Sequence, residues 1–253
     1  MLVPIQTSGT KPPLFFVHGL RGITFAVGPN FARALGPDQP VYVINANGMD
    51  GRQPVIDDAR EMVAAYYDDI QRARPAGPLR IGAMCSGCLI AIELARRLQK
   101  DGRQTGPLIL ADPPPVPFGY DKRRNTVDFA RPQMAERMYQ EVRANMLEKA
   151  SYGYDALPFD PADPQQLHAA TLAGIGSMVA FAKYVPTPFS GPTEMIMSAP
   201  GRVRTSLRSN ASAMLAFSAG RERGSICTKT APRRATASSA TACRQSSLRQ
   251  IPT

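Results

Sequence analysis

The chain has 253 residues, enough for one large domain or two small ones, and its 43% apolar content is ordinary for a globular protein. No run of about eighteen apolar residues exists to cross a bilayer, no charged-then-apolar leader opens the chain, and four cysteines in this length do not form a secreted disulfide scaffold, so a cytoplasmic protein with no membrane partner is expected. The formal charge of +10 invites a nucleic-acid reading, but nine Arg and one Lys against one Glu from Ala199 onward carry +9 of it, leaving +1 over residues 1–198 and no basic face, so nucleic acid is not expected as a partner.

Taken in order, the first 198 residues alternate strands and helices. Leu14 to Val17 is a short apolar run after Lys11-Pro12-Pro13, and Val41 to Ile44 is another after Gly36-Pro37-Asp38. Ile56 to Ala73 reads as a long helix with Asp57, Asp58 and Glu61 near its start, where the helix dipole favours acids. Leu79 to Met84 reads as a buried strand, and Leu89 to Leu98 as a helix with Glu93, Arg96 and Arg97 toward solvent. Leu108 to Ala111 and Glu194 to Met197 are further strands. Strands separated by helices imply an α/β fold, a mostly parallel sheet covered on both faces. Between Tyr120 and Tyr184 the alternation stops. Met134 to Lys149 and Gln165 to Tyr184 read as helices joined by a Pro/Asp/Tyr-rich link, Tyr152 to Pro164, and an insertion of this size between strands is a candidate lid or, more plainly, extra helical packing.

The strongest chemical signal is the turn Ala83-x-Cys85-x-Gly87, flanked by small residues and set between a strand and a helix. That is the layout of a nucleophile elbow, with Cys85 in the place of the usual serine. A thiol there lies over a helix N-terminus, whose dipole favours negative charge, and thiols attack acyl carbons well. As a bare motif the cysteine would be a structural one, and the strand-turn-helix context tips the balance. His18-Gly19-Leu20-Arg21-Gly22 follows a strand, and its glycines let backbone N–H groups face a site. With the residue after the nucleophile, this makes the Leu20 and Ser86 amides an oxyanion-hole pair; otherwise the loop is an ordinary turn with a structural His18. Asp112 ends the strand after the elbow helix, at the sheet edge where α/β sites are built, and can orient an imidazole or simply cap its turn. No metal site is indicated. Cys85-Ser86-Gly87-Cys88 is also a C-x-x-C, which admits a thiol oxidoreductase as a weaker alternative and a reversible disulfide as a side possibility.

These segments resemble the thioesterase domains that end nonribosomal peptide and polyketide synthetases, members of the α/β-hydrolase superfamily. The resemblance rests on Leu2-Val3-Pro4-Ile5-Gln6, Pro12-Pro13-Leu14-Phe15-Phe16-Val17-His18-Gly19, Val41-Tyr42 through Gly48-Met49-Asp50-Gly51-Arg52-Gln53, the elbow with Ala91-Ile92-Glu93-Leu94-Ala95, Leu110-Ala111-Asp112, Tyr184-Val185-Pro186 and Gly191-Pro192. It covers about residues 1–198. It implies an α/β-hydrolase fold with a helical lid at about 120–184, Cys85 as nucleophile, Asp112 as acid, and Leu20 and Ser86 as oxyanion donors. It implies acyl transfer from the phosphopantetheine arm of an acyl or peptidyl carrier protein, with hydrolysis or cyclisation of the product and no cofactor bound to the domain itself. The departures are Cys85 for serine, Ala83 and Cys88 for glycines, and a missing triad histidine. Only His18 and His168 exist, the first upstream in the oxyanion loop and the second at a solvated position of a helix in the insertion.

The histidine belongs in the segment 199–253, where the composition changes. Val203 is its only valine, Tyr and Asp are absent, and Arg, Ser, Ala and Thr dominate. It reads either as a disordered basic tail or, preferably, as coding sequence translated out of frame, since a domain of this type needs another strand and helix there and none is legible. A truncated, catalytically impaired relative is therefore the main alternative to an active thioesterase.

Overall fold

The computed structural model describes residues 1–24, 27–114, 132–151, 157–184, 187–199 and 202–210. Seven strands, β1 (Leu2–Gln6), β2 (Leu14–Val17), β3 (Val41–Ile44), β4 (Arg80–Met84), β5 (Leu108–Ala111), β6 (Pro192–Ala199) and β7 (Arg202–Asn210), form one sheet in the order β1-β3-β2-β4-β5-β6-β7. The five central strands run parallel, and β1 and β7 pair antiparallel at the two edges. Five helices are described: α1 (Pro29–Leu35), α2 (Ala59–Ala73), α3 (Gly87–Lys100), α4 (Pro132–Ala150) and α5 (Pro164–Lys183).

Strand periodicity decides which face each side chain serves. Phe15, Val17, Tyr42, Ile44, Ile81, Ala83, Leu108 and Leu110 point to one face and form the main core with α2, α3 and the end of α5. Leu14, Phe16, Val41 and Val43 point to the other and pack with Ala32 of α1. Because both faces are covered, the central strands read as unbroken apolar runs rather than as alternation. Gly82 is needed within β4, since a Cβ there would lie 2.8 Å from the Phe16 ring.

The helices begin where their caps are. The Asp58 side chain accepts from Arg60 N–H at 2.8 Å and Glu61 N–H at 3.2 Å, so α2 starts at Ala59 rather than at Ile56. Asp163 does the same for α5, accepting from Gln165 N–H at 2.8 Å with Pro164 in the first turn. Helix α3 starts at Gly87, two residues before the apolar periodicity begins, because the elbow turn itself launches it.

Helices α4 and α5 occupy the expected insertion. Met138, Val142 and Met146 of α4 pack on Leu167, Ala170 and Ala173 of α5, with Ile23, Ala46 and Met49 from the loops beyond β2 and β3 completing this cluster. Helix α5 also reaches the main core through Ala180 and Phe181. Its second half is thus part of the domain body, and the outer pairing with α4 packs on the loops that follow β2 and β3. Residues 115–131, 152–156 and 185–186, which include the start of the expected lid, part of the Tyr152–Pro164 link and the Val185-Pro186 pair, lie outside the described residues, as does 211–253.

The sheet continues past residue 198, where the compositional change sets the expected boundary. Strand β7 pairs antiparallel with β6 from Pro192↔Asn210 to Ala199↔Arg202, so a strand is present in a segment from which none is legible in the sequence. Val203, Thr205 and Leu207 do alternate with Arg204, Ser206 and Arg208, but over too few residues to stand out from the surrounding bias. Such charged sequence suits an edge strand, which must discourage further pairing.

Candidate active site

Two non-glycine residues among those described have positive φ, Cys85 at 51° and Asp112 at 46°. A side chain in this region costs on the order of 1–3 kcal/mol and persists only where the surroundings enforce it. Both residues follow directly on paired positions, Met84 opposite Ala111, so they leave adjacent parallel strands side by side at the C-terminal edge. The Cys85 N–H donates to the Ala111 carbonyl at 2.8 Å, and the Asp112 N–H donates to the Ile196 carbonyl of β6 at 2.8 Å. Each strained turn is therefore stitched to the neighbouring strand.

The Cys85 carbonyl accepts the Cys88 N–H at 3.1 Å, and Ser86 precedes the first residue of α3 in helical conformation. The thiol, half-buried, thus sits at the head of α3, with Ser86 Oγ 3.7 Å away. Tight packing forces this placement. A Cβ on Gly87 would fall 1.9 Å from the His18 carbonyl oxygen, so only glycine lets α3 start against the end of β2. On the other side, a Cβ on Gly19 would lie 3.9 Å from the Cys85 Cβ, which puts the loop after β2 alongside Cys85. Within that loop the Gly22 N–H donates to the Gly19 carbonyl at 3.1 Å, a turn spanning Leu20. Leu20 and Ser86 are thus in the two segments that flank Cys85, with Leu20 half-buried and Ser86 buried.

The glycine loop is held from below by His18. Its ring is fully buried, with Nδ1 2.7 Å from the Gly19 carbonyl and Nε2 2.6 Å from the Tyr66 hydroxyl of α2. A carbonyl only accepts, so Nδ1 carries the proton and Tyr66 donates to Nε2. Burial pushes the imidazole down to about 4, outweighing the Gly19 carbonyl, so the ring is neutral. Burial likewise raises the Tyr66 phenol and keeps it a donor. His18 thus supports the loop from within the core. His168 is exposed on α5 and bonds through Nδ1 to the Tyr139 hydroxyl of α4 at 2.7 Å. Neither histidine is engaged with Cys85 or Asp112 in any of these contacts.

Two features escape sequence reading. Cys88 is fully buried, with its thiol 3.6 Å from the Ala111 carbonyl oxygen, and burial raises the thiol well above its ordinary range. Glu93, expected to face solvent, accepts hydrogen bonds from Tyr184, from Thr187 at 2.8 Å and from Arg96 at 3.2 Å. Arg96 also donates to the Thr187 and Pro188 carbonyls. The helix bearing the elbow is thereby tied to the segment leading from α5 to β6. Among the described residues no His, Cys, Asp and Glu cluster is arranged to hold a metal, and no helix is long and apolar enough to cross a membrane.

The family model for the thioesterase domain matches residues 12–150, more than half of the chain and the whole elbow region. The chain belongs to the thioesterase domain family. The sheet and its flanking helices are those of the α/β-hydrolase fold, as expected. The thioesterase domain resembles malpibaldin synthetase of Mortierella alpina, at 34% identity over 113 residues, covering 44% of this chain and 2% of that protein. It also resembles a dimodular nonribosomal peptide synthase of Bacillus subtilis, at 30% over 118 residues, 47% of this chain and 5% of that one. The chain thus spans a small part of the length of the curated relatives it matches. In structure it is similar to the Vlm2 thioesterase domain bound with a dodecadepsipeptide, with a TM-score of 0.57 at 19% identity over 87% of this chain and 84% of the other. The thiol-oxidoreductase alternative finds no support in this fold.

Proposed function

We propose that this thioesterase domain takes an acyl or peptidyl chain from the phosphopantetheine arm of a carrier protein onto Cys85 and releases it by hydrolysis or cyclisation. The observation that carries the reading is the pair of strained turns at Cys85 and Asp112, side by side at one sheet edge and next to a glycine loop. In the loading step the Cys85 sulfur bonds to the thioester carbonyl carbon. The Leu20 and Ser86 amides hold the oxyanion, the bond to the arm's sulfur breaks, and the thiol proton ends on that sulfur. One thioester replaces another, so loading is close to thermoneutral and leaves a more reactive acyl donor than a serine ester would. A trapped amine or hydroxyl on the chain then competes well with water. Product ratios compared between the wild type and Cys85→Ser check this, and identical ratios count against it.

A second reading, an impaired relative, is favoured by one observation: both histidines are engaged elsewhere, at Tyr66 and at Tyr139. General acid–base help is worth about 10²–10⁴-fold, and release from Cys85 in this chain is expected to be slower by about that factor. Incubation with an acyl N-acetylcysteamine thioester should add one acyl group to Cys85, seen by mass, followed by slow release that free imidazole speeds. Rapid multiple turnover without imidazole refutes the impairment, and no acyl group on Cys85 refutes the nucleophile. Translating the DNA beyond the Thr193 codon in all frames tests the segment after Ala199. A frame restoring a strand, a Gly-x-His and a helix returns the missing imidazole.

A further inference from the structure

The geometry points to Cys88 as a resolving thiol: mild oxidation of Cys85 closes a Cys85–Cys88 disulfide that reversibly silences the nucleophile. This rests on the reading of Cys85 as the acyl-accepting residue. Both cysteines are free thiols. The Cys88 N–H bonds to the Cys85 carbonyl at 3.1 Å. A turn closed in this way holds its end Cα atoms within about 7 Å, and disulfides span about 4.4–6.8 Å. The Cys88 sulfur and the Cys85 backbone also share an acceptor. The sulfur contacts the Ala111 carbonyl oxygen at 3.6 Å, and that same oxygen accepts the Cys85 N–H at 2.8 Å. Cys88 therefore lies beneath the elbow, and closing the bridge gives up its weak contact with Ala111 and that of the Cys85 thiol with Ser86 Oγ.

The two thiols differ in access, which sets their order of reaction. Cys85 is half-buried at the site mouth, whereas Cys88 is fully buried and is shielded from oxidants. With hydrogen peroxide as oxidant, the Cys85 sulfur attacks one peroxide oxygen and the O–O bond breaks. Cys85 sulfenic acid forms and the thiol proton leaves in water. The Cys88 sulfur then bonds to the Cys85 sulfur, the S–O bond breaks, and the hydroxyl leaves with the Cys88 proton as a second water. Two thiols have lost two electrons and peroxide has gained them. A dithiol reductant reverses the bridge, which a sulfinic acid would not allow. The pair thus protects an accessible nucleophile rather than catalysing redox chemistry.

The full chain is treated with limiting hydrogen peroxide, unreacted thiols are alkylated under denaturing conditions, and the tryptic peptide Ile81–Arg96 is weighed. The expected product lacks two hydrogens and both alkyl groups. Acyl loading on Cys85 disappears with it and returns after dithiothreitol. In Cys88→Ala the first peroxide should stop at Cys85 sulfenic acid and a second equivalent should carry it to sulfinic acid, with loading lost for good. Sulfinic acid on Cys85 of the wild type, with Cys88 alkylated, overturns the proposal, and this result does not depend on Cys88→Ala folding. A bridge from Cys85 to Cys227 or Cys243 instead of Cys88 also overturns it. The two proposals fail separately. A reduced chain that loads acyl groups but forms no bridge refutes the switch alone, whereas one that bridges but never loads refutes the acyl-transfer reading.

Discussion

Single residues show how packing converts a weak motif into a site. Ala83-x-Cys85-x-Gly87 is common enough to mean little, but Gly87 against the His18 carbonyl and Cys85 at a φ of 51° leave one arrangement for the turn. His18 is the support beneath it, and its burial makes a pH prediction. The unfolded chain binds a proton near pH 6.5 and the folded chain only near 4, so between these values the unfolded state holds more protons. Stability therefore rises with pH across that window, is complete above about 6.5, and is lost as pH falls toward 4. The depression corresponds to about 3 kcal/mol from this one residue. Urea unfolding at pH 4.5 and 7 should show the difference in the wild type and a much flatter profile in His18→Gln. An equal slope in both would mean the ring is not buried neutral.

Between elements, the informative contact is the one from α3 to the chain leaving α5. Glu93 gathers Tyr184, Thr187 and Arg96 around one carboxylate, and a shared acceptor makes their contributions interdependent. Glu93→Ala leaves three donors short of a partner and should cost about 1–3 kcal/mol, while Tyr184→Phe should cost about 1 kcal/mol. The double mutant should be less destabilised than the sum of the two, as read from urea midpoints. Strict additivity would show that the hydroxyl and carboxylate do not act together. The same elements explain why the insertion is a cover in part only. Gly174 of α5 admits Val142 and Met146 of α4, each 3.0 Å from where its Cβ would be, and Gly176 admits Val55 at 2.4 Å. Helix α5 is thus wedged between α4 on one side and Val55 on the other.

Across the whole molecule, the described core residues of the three hydrophobic clusters lie between Leu14 and Met195. The segment from Ala199 carries +9 of the net charge and contributes to the described structure through the end of β6 and β7. A chain ending at Ala199 loses the strand that covers the β6 edge and should therefore show a lower urea midpoint than the full protein; an unchanged midpoint would show that this pairing adds nothing to stability.

Most of the architecture was open to inspection in the amino-acid order. Apolar runs such as Leu14–Val17 and Leu108–Ala111 are short and unbroken, as buried parallel strands are, and the spacing of Cys85 and Asp112 allows one helix, a loop and a strand between them. Helix starts were less legible because a cap such as Asp58 acts through one side-chain bond rather than through periodicity. The environment of each side chain lay beyond the sequence altogether. His18 as a neutral strut, Glu93 as a shared acceptor and Cys88 beneath the elbow all depend on partners 23 to 94 residues away, Tyr66, Thr187 and Ala111 among them. Local order along the chain carries no record of such distances; they are set when the sheet closes, because desolvation and hydrogen bonding depend on what surrounds a group in space.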